Sequence, residues 1–326
     1  MRSRSADLQK CLRARSHFLA HLRRPRQKCE LADDLEESRS TIDRALRELE
    51  DAGFVERADR GYRTTLTGEL ALEAYRRYSA RLDGLVAARD ALDSLPTDTA
   101  LDGALFEEAS VSLPTSCSPH APVEALESLL DGADHARVFA TAVIPAYVDI
   151  YYEQIVEEGM TADIVCAEGV LDWILARREE QLTAIAGCDG VTLWETSADR
   201  AVSLVVTERE DPDAASDGSE SGGPREGEST RKDEPTRNHD GASADTPAGA
   251  NESAFDADRS RGTDATPSHR DCDSDRPAKR VGAMIYDEGQ LVGFVHTDAR
   301  AAVAWGEAVV DRLEADAMRL GGPVEG

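Results

Sequence analysis

The chain has 326 residues, with 37 basic against 64 acidic side chains, a net charge of −27 and only 5% aromatic residues. That length accommodates two ordinary domains and a linker; no apolar run approaches the roughly 18 residues of a membrane span, and acidity on this scale argues against binding a polyanion. The charge is uneven, however. Residues 1–66 hold 15 Lys and Arg against 12 Asp and Glu, a +3 head on a −30 body, as expected of a chain that meets nucleic acid at one end.

Only Lys10, Lys28, Lys232 and Lys279 are lysines; the other 33 basic residues are arginine. An acid-rich, lysine-poor surface resembles those of proteins from salt-loving archaea, where self-repulsion is screened within roughly 3 Å at about 1 M salt. Six cysteines (11, 29, 117, 166, 188 and 272) lie far apart with no C-x-x-C pair. With a polar, arginine-rich N-terminus in place of a signal peptide, they are expected to be reduced thiols of a cytoplasmic protein.

In chain order, Leu8, Leu12, Phe18, Leu19 and Leu22 form a helical stripe that Pro25 ends, and Glu30–Leu35 reads as a short second helix. A third helix starts at Ser38, whose hydroxyl suits an N-cap. Its Ile42, Ala45, Leu46 and Leu49 recur at i, i+3, i+4 and i+7 and make a buried back; Ser40, Arg44 and Arg47 project from the front. Gly53 suits a left-handed cap. The runs 54–57 and 62–66 then read as two short strands around Ala58-Asp59-Arg60-Gly61.

This order is that of a winged helix. The run LRELEDAGFVERADRGYRTTLTGELAL resembles archaeal winged-helix regulators. The arrangement implies double-stranded DNA as partner. Arg39, Ser40, Thr41, Arg44 and Arg47 would lie in or beside the major groove, with Arg57, Arg60 and Arg63 reaching phosphates or the minor groove from the wing. The winged helix is assigned to residues 1–67. A long helix over 68–95 carries Leu70, Ala74, Tyr78, Leu82, Leu85 and Leu92, a stripe suited to pairing with a second copy as a homodimer.

From Pro122 onward helices and strands alternate. Helices are expected over 123–130, 147–158, 170–186 and 299–320, and strands over 136–143, 162–165, 191–195, 201–207, 281–286 and 291–297. The overall class is therefore α/β: a winged helix followed by an α/β domain over 118–207 and 281–320. Residues 208–280, rich in Ser, Gly, Asp and Glu with Phe255 as their only aromatic, cannot bury enough apolar surface to form a core and read as a disordered insert between neighbouring strands.

The wording GxxADIVCAEGVLDWI, VTLWET, AVSLVVT and VGAMIYDEGQLVGFVHTD resembles the middle domain of an archaeal family named for a methanogenesis regulator. That resemblance implies a regulatory domain similar to half of a phospholipase D-like unit, sensing an unidentified small-molecule effector. Phospholipase chemistry needs a lysine two residues after the nucleophilic histidine. The residues two after each histidine are Leu19, Arg23, Pro122, Arg137, Gly241, Asp271 and Asp298, so no enzyme activity is expected.

No phosphate loop, catalytic triad, cofactor motif or metal set stands out. Cys117 and His120 have ligand spacing without further ligands, and Cys29 is a conceivable redox position. Strand ends in an α/β sheet border crevices, which makes Thr141, Pro145, Tyr147, Cys166, Glu168, Trp173 and Trp194 the candidate effector contacts. The functional expectation is a sequence-specific regulator of transcription. The alternative is a winged-helix adaptor that recruits a protein partner without specific DNA binding.

Overall fold

The computed structural model describes residues 2–198, 200–210 and 278–321. Its N-terminal part is helical, with α1 at Arg2–His21, α2 at Lys28–Leu35 and α3 at Arg39–Asp51. A hairpin of β1 (Val55–Ala58) and β2 (Gly61–Thr64) follows, and then α4 (Leu66–Ala87). Leu12, Phe18, Leu19, Leu22, Leu31, Phe54, Val55 and Leu72 close around the four apolar residues of α3's back. Ser38 caps α3 by accepting the Thr41 N–H at 3.1 Å. Glu36, at φ 51°, turns the chain between α2 and α3.

The hairpin is docked by backbone. Arg26 and Tyr62 exchange both of their N–H···O bonds, each 2.9 Å. Gly61 sits at φ +125°, and a Cβ there would lie 2.0 Å from the Arg26 carbonyl oxygen. Only glycine meets both demands. The expected second strand, 62–66, is overturned at its end. Thr65 accepts the Gly68 N–H at 3.0 Å and donates to the Gly53 carbonyl at 2.7 Å, so Leu66 opens α4 instead of closing a strand. The long helix is also shorter than expected: α4 stops at Ala87 and a separate turn, α5 (Arg89–Leu92), follows.

Among the described residues the second part is built on an eight-stranded sheet. Its elements are β3 (Ser110–Ser112), α6 (Ala121–Leu130), β4 (His135–Ala140), α7 (Pro145–Tyr152), β5 (Thr161–Ala167), α8 (Val170–Ala186), β6 (Val191–Thr196), β7 (Val202–Glu208), β8 (Lys279–Asp287), β9 (Gln290–Thr297), α9 (Arg300–Ala315) and β10 (Met318–Gly321). Strand order is β10-β6-β5-β4-β7-β8-β9-β3. The β6-β5-β4 pairs are parallel, and every other pair is antiparallel.

Successive strand residues face opposite layers, as the pleat requires. Phe139, Leu204, Val206, Ala283, Ile285 and Val295 pack with α9 and α5. Val138, Val205, Met284 and Phe294 pack with α6 and α7. Arg137 fastens α9 to β4 through Asp311 at 2.8 Å and Glu314 at 2.7 Å.

The core of this part reaches further back than residue 118. Ala88, Ala91, Ala104, Leu105 and Phe106 are buried in it, and β3 pairs with β9 through Ser110↔His296. The expected helix over 299–320 ends at Ala315. Residues 318–321 instead form β10, which covers the open edge of β6, an edge that would otherwise leave a row of backbone groups unpaired. The β7–β8 ladder continues to Glu208↔Lys279. Of the insert assigned to 208–280, residues 211–277 lie outside the described residues.

Candidate functional site

α3 presents the combination sought from the sequence. Ile42, Ala45 and Leu49 are fully buried and Leu46 nearly so, while Arg39, Ser40, Asp43, Arg44 and Arg47 are exposed and Thr41 is half-buried at the cap. Ser40 is less free than expected, since its hydroxyl lies 2.8 Å from that of Ser38. Arg57, Arg60 and Arg63 are exposed on the hairpin.

Several of these cations are already neutralised by the chain's own acids. Arg44 pairs with Glu48 at 2.9 Å, Arg57 with Glu50 at 3.2 Å and Arg63 with its cross-strand neighbour Glu56 at 2.7 Å. Exposed pairs of this kind contribute roughly 0.2–1 kcal/mol and exchange readily for another anion. Hydrogen bonds from Arg15 and then Arg44 hold the Glu48 carboxyl below the usual carboxylate range. Arg39, Arg47 and Arg60 have no carboxylate within 4.0 Å among the described residues.

One residue of this surface was missed by sequence reasoning. Lys28, at the start of α2, pairs with Asp43 on α3's exposed face and lies over the Tyr62 ring of the hairpin at 5.6 Å. It thereby joins α2, α3 and the wing. Its rarity among 33 arginines was the one available signal, because its proximity to Asp43 and Tyr62 depends on the tertiary fold. Cys29, beside it, is exposed.

The seven effector candidates do not form one site. Tyr147 is buried and lines a cavity between the sheet and helices α7 and α8, as does Cys166, whose thiol burial and then Glu195 push up to about 12. Thr141 lies close by, and its N–H donates to the Ser203 hydroxyl, a lining group, at 2.9 Å. Trp194 belongs to the other face of the sheet, packed with the α9 layer. Trp173 is half-buried with the Arg177 guanidinium 4.9 Å from its ring centre. Glu168 is exposed, its backbone N–H bound to the Thr196 carbonyl, and Pro145 is exposed at the first turn of α7. The sequence did not point to Tyr151 and Tyr286, which line the same cavity.

No cluster of three or more metal-ligating side chains occurs among the described residues, and no described helix is long and apolar enough to cross a membrane.

The fold is thus a helical N-terminal domain with a hairpin, followed by an α/β sheet domain. Residues 4–85 match the family of the HVO_A0261 N-terminal domain. Residues 119–215 match the middle domain of methanogenesis regulatory protein FilR1. No curated protein matches the chain.

Among solved structures, TrmBL2, described as an archaeal chromatin protein with a novel mode of DNA binding, is 12% identical, at TM-score 0.35 over 90% of this chain and 88% of that one. An O-methyltransferase family protein from Burkholderia thailandensis is 13% identical, at TM-score 0.23 over 59% of this chain and 60% of that one. The S-adenosylmethionine-dependent methyltransferase SibL is 14% identical, at TM-score 0.23 over 60% of this chain and 63% of that one. The chain therefore spans less than two thirds of either methyltransferase.

Proposed function

We propose that the chain is a sequence-specific DNA-binding regulator of transcription that acts in the cytoplasm as a homodimer and whose sheet domain is a non-catalytic sensor. The observation that carries this reading is α3, a capped helix with a fully packed back and an exposed front of Arg39, Ser40, Arg44 and Arg47. The arginine-bearing hairpin and Lys28 flank that front. A helix so fixed can enter the major groove while the wing takes phosphates. The matched regulatory domain supports a sensing role for residues 119–215.

The acids that pair with Arg44, Arg57 and Arg63 set the terms of binding. Phosphates must displace Glu48, Glu50 and Glu56, so each contact nets less than a free arginine would yield. In the concentrated salt that the lysine-poor, acidic composition suits, the phosphate contribution falls further. Base contacts by Arg44 and Arg47 therefore carry more of the specificity.

The dimer reading rests on α4, where Leu70, Tyr78, Leu82 and Leu85 are exposed at 58, 60, 43 and 37%. These residues lie at spacings of eight, four and three along the helix, and an apolar strip of that kind is suited to pairing with its own copy.

The test is a mobility-shift titration on DNA upstream of the protein's own gene, repeated across a salt series. Arg44→Ala and Arg47→Ala are each expected to weaken specific binding by about 1–3 kcal/mol. Arg60→Ala should weaken all sequences alike and lower the salt slope by about one. Unchanged affinity in both α3 variants refutes the assignment. The adaptor reading draws on the same neutralised arginines and requires that the wild type give no footprint at all.

A further inference from the structure

The cavity between the sheet and helices α7 and α8 has about 70 Å³ of free space. Its walls are aliphatic, with Val138 and Leu193 from the strands and Ile174 and Leu182 from α8 among them, and no Lys, Arg, His, Asp or Glu lines it. The polar groups are few and hydroxylic. Tyr286 donates to the Tyr147 hydroxyl at 3.3 Å, and the Ser203 hydroxyl is engaged by Thr141. The Tyr151 hydroxyl is different. It is shielded from solvent, has no hydrogen-bond partner, and lies within electrostatic reach of Tyr286 and Cys166, both lining groups.

Buried hydroxyls almost always have a partner, so an orphan that faces an apolar hole points to something that fills the hole and supplies an acceptor. A lone water meets that need poorly, because it requires two to four polar neighbours and the walls offer few. An ionised ligand would lose its hydration without a counter-charge.

Both helices of the roof are also irregular. α8 leaves helical geometry at Arg178 (φ −144°, ψ 34°), and α7 runs into a π turn at Glu153–Glu157, a feature common at functional sites. Asp149 of α7 ties the two helices by accepting from Arg178 at 3.1 Å and Gln181 at 2.9 Å.

We propose that this cavity is the ligand site of the sheet domain and takes a small, neutral, largely apolar molecule carrying one hydrogen-bond acceptor that receives the Tyr151 proton. The inference deepens the sensing part of the proposed function and rests on it only for coupling to DNA.

The test is calorimetric titration of the full chain, without DNA, using three probes of similar size: acetophenone, ethylbenzene and benzoate. Acetophenone should bind one per chain, ethylbenzene roughly five- to tenfold more weakly for want of the acceptor, and benzoate not measurably. Tyr151→Phe should bring acetophenone down to the ethylbenzene level and leave ethylbenzene unchanged. Ile174→Trp, which fills the hole, should abolish both, with a thermal melt confirming that this variant is folded.

Equal affinity for acetophenone and ethylbenzene, tightest binding by benzoate, no binding by any probe, or an unaffected Tyr151→Phe each overturns the proposal. A folded Ile174→Trp that still binds does the same. Operator binding is measured separately. Loss of the cavity result with operator binding intact overturns the ligand site alone, while ligand binding by a protein that ignores DNA overturns the regulator reading alone.

Discussion

Replacing Gly84 by alanine tests how the N-terminal domain is joined to the sheet. Gly84 lies on α4, buried against the turn Gly103–Phe106, and a Cβ there would sit 2.2 Å from the Phe106 carbonyl oxygen and 3.0 Å from its carbon. Ordinary carbon contacts are nearer 3.5 Å, so helix and turn must separate by roughly 1 Å.

Neither partner yields readily. Leu105 and Phe106 are 0 and 3% exposed. The next residue, Glu107, is gripped by Arg77 at 2.7 Å and Arg81 at 2.8 Å from the same helix. Burial pushes the Glu107 carboxyl up, but the two guanidiniums prevail and hold it below its usual value.

Two effects then compete. In a helix interior, glycine to alanine gains up to about 1 kcal/mol by propensity. Overpacking against fixed backbone costs about 1–3 kcal/mol or more. The net expectation is a loss of about 1–2 kcal/mol, which for a protein of this size lowers Tm by about 2–8 °C. Circular dichroism melts of the two proteins in one buffer measure it. A Tm that stays the same or rises would show that propensity wins and that the close approach is dispensable.

Two further outcomes follow from the same structure. Leu82→Glu on the exposed strip of α4 should leave the chain folded but shift light-scattering mass towards the single chain and weaken operator binding; unchanged mass would dismiss α4 as the pairing face. His296 lies in β9 with its pKa lowered, by burial first and then by Arg280, against the opposing pull of Asp298. The unfolded chain thus takes up this proton before the folded one. Stability should be full above pH about 6.5 and fall as pH drops towards the lower folded value. His17, lowered mainly by its own partial burial, acts in the same direction. Denaturant melts across pH 5–7 should show a shallower slope for His296→Gln and a shallower one still with His17→Gln added; no change in slope would refute the linkage.

The legible parts of the chain were those whose signal is local. Ser38, followed by apolar residues at 42, 45, 46 and 49, reveals α3 because cap and stripe lie within a dozen residues. α8 falls on its expected bounds, from Val170 to Ala186, for the same reason. β3 has three residues and exists through pairing with β9, nearly two hundred residues away. β10 exists because β6 would otherwise be an open edge. Neither partner is visible from the segment itself.

Trp194 shows a different failure. VTLWET sets two large apolar residues side by side at 193 and 194, and successive strand residues face opposite layers, so the segment does not tell which layer covers Trp194. Its neighbour Leu193 packs with the α6 layer while Trp194 joins the α9 layer. The cavity was hidden for a related reason. Tyr147 and Tyr151 are one helical turn apart, but Tyr286 reaches them from the far side of the insert.

The ladder between β7 and β8 closes with Glu208 opposite Lys279, and Lys279 also pairs with Glu208 at 3.2 Å and Glu307 at 2.8 Å. Two neighbouring strands thus present their ends side by side, clamped by charge, whatever is strung between them. Closing a flexible loop becomes costlier by only about 0.6 kcal/mol per doubling of its length. The join is accordingly a socket. A fluorescent protein or an affinity module with adjacent termini, grafted between residues 210 and 278, would ride on the sheet domain without altering a single strand pairing.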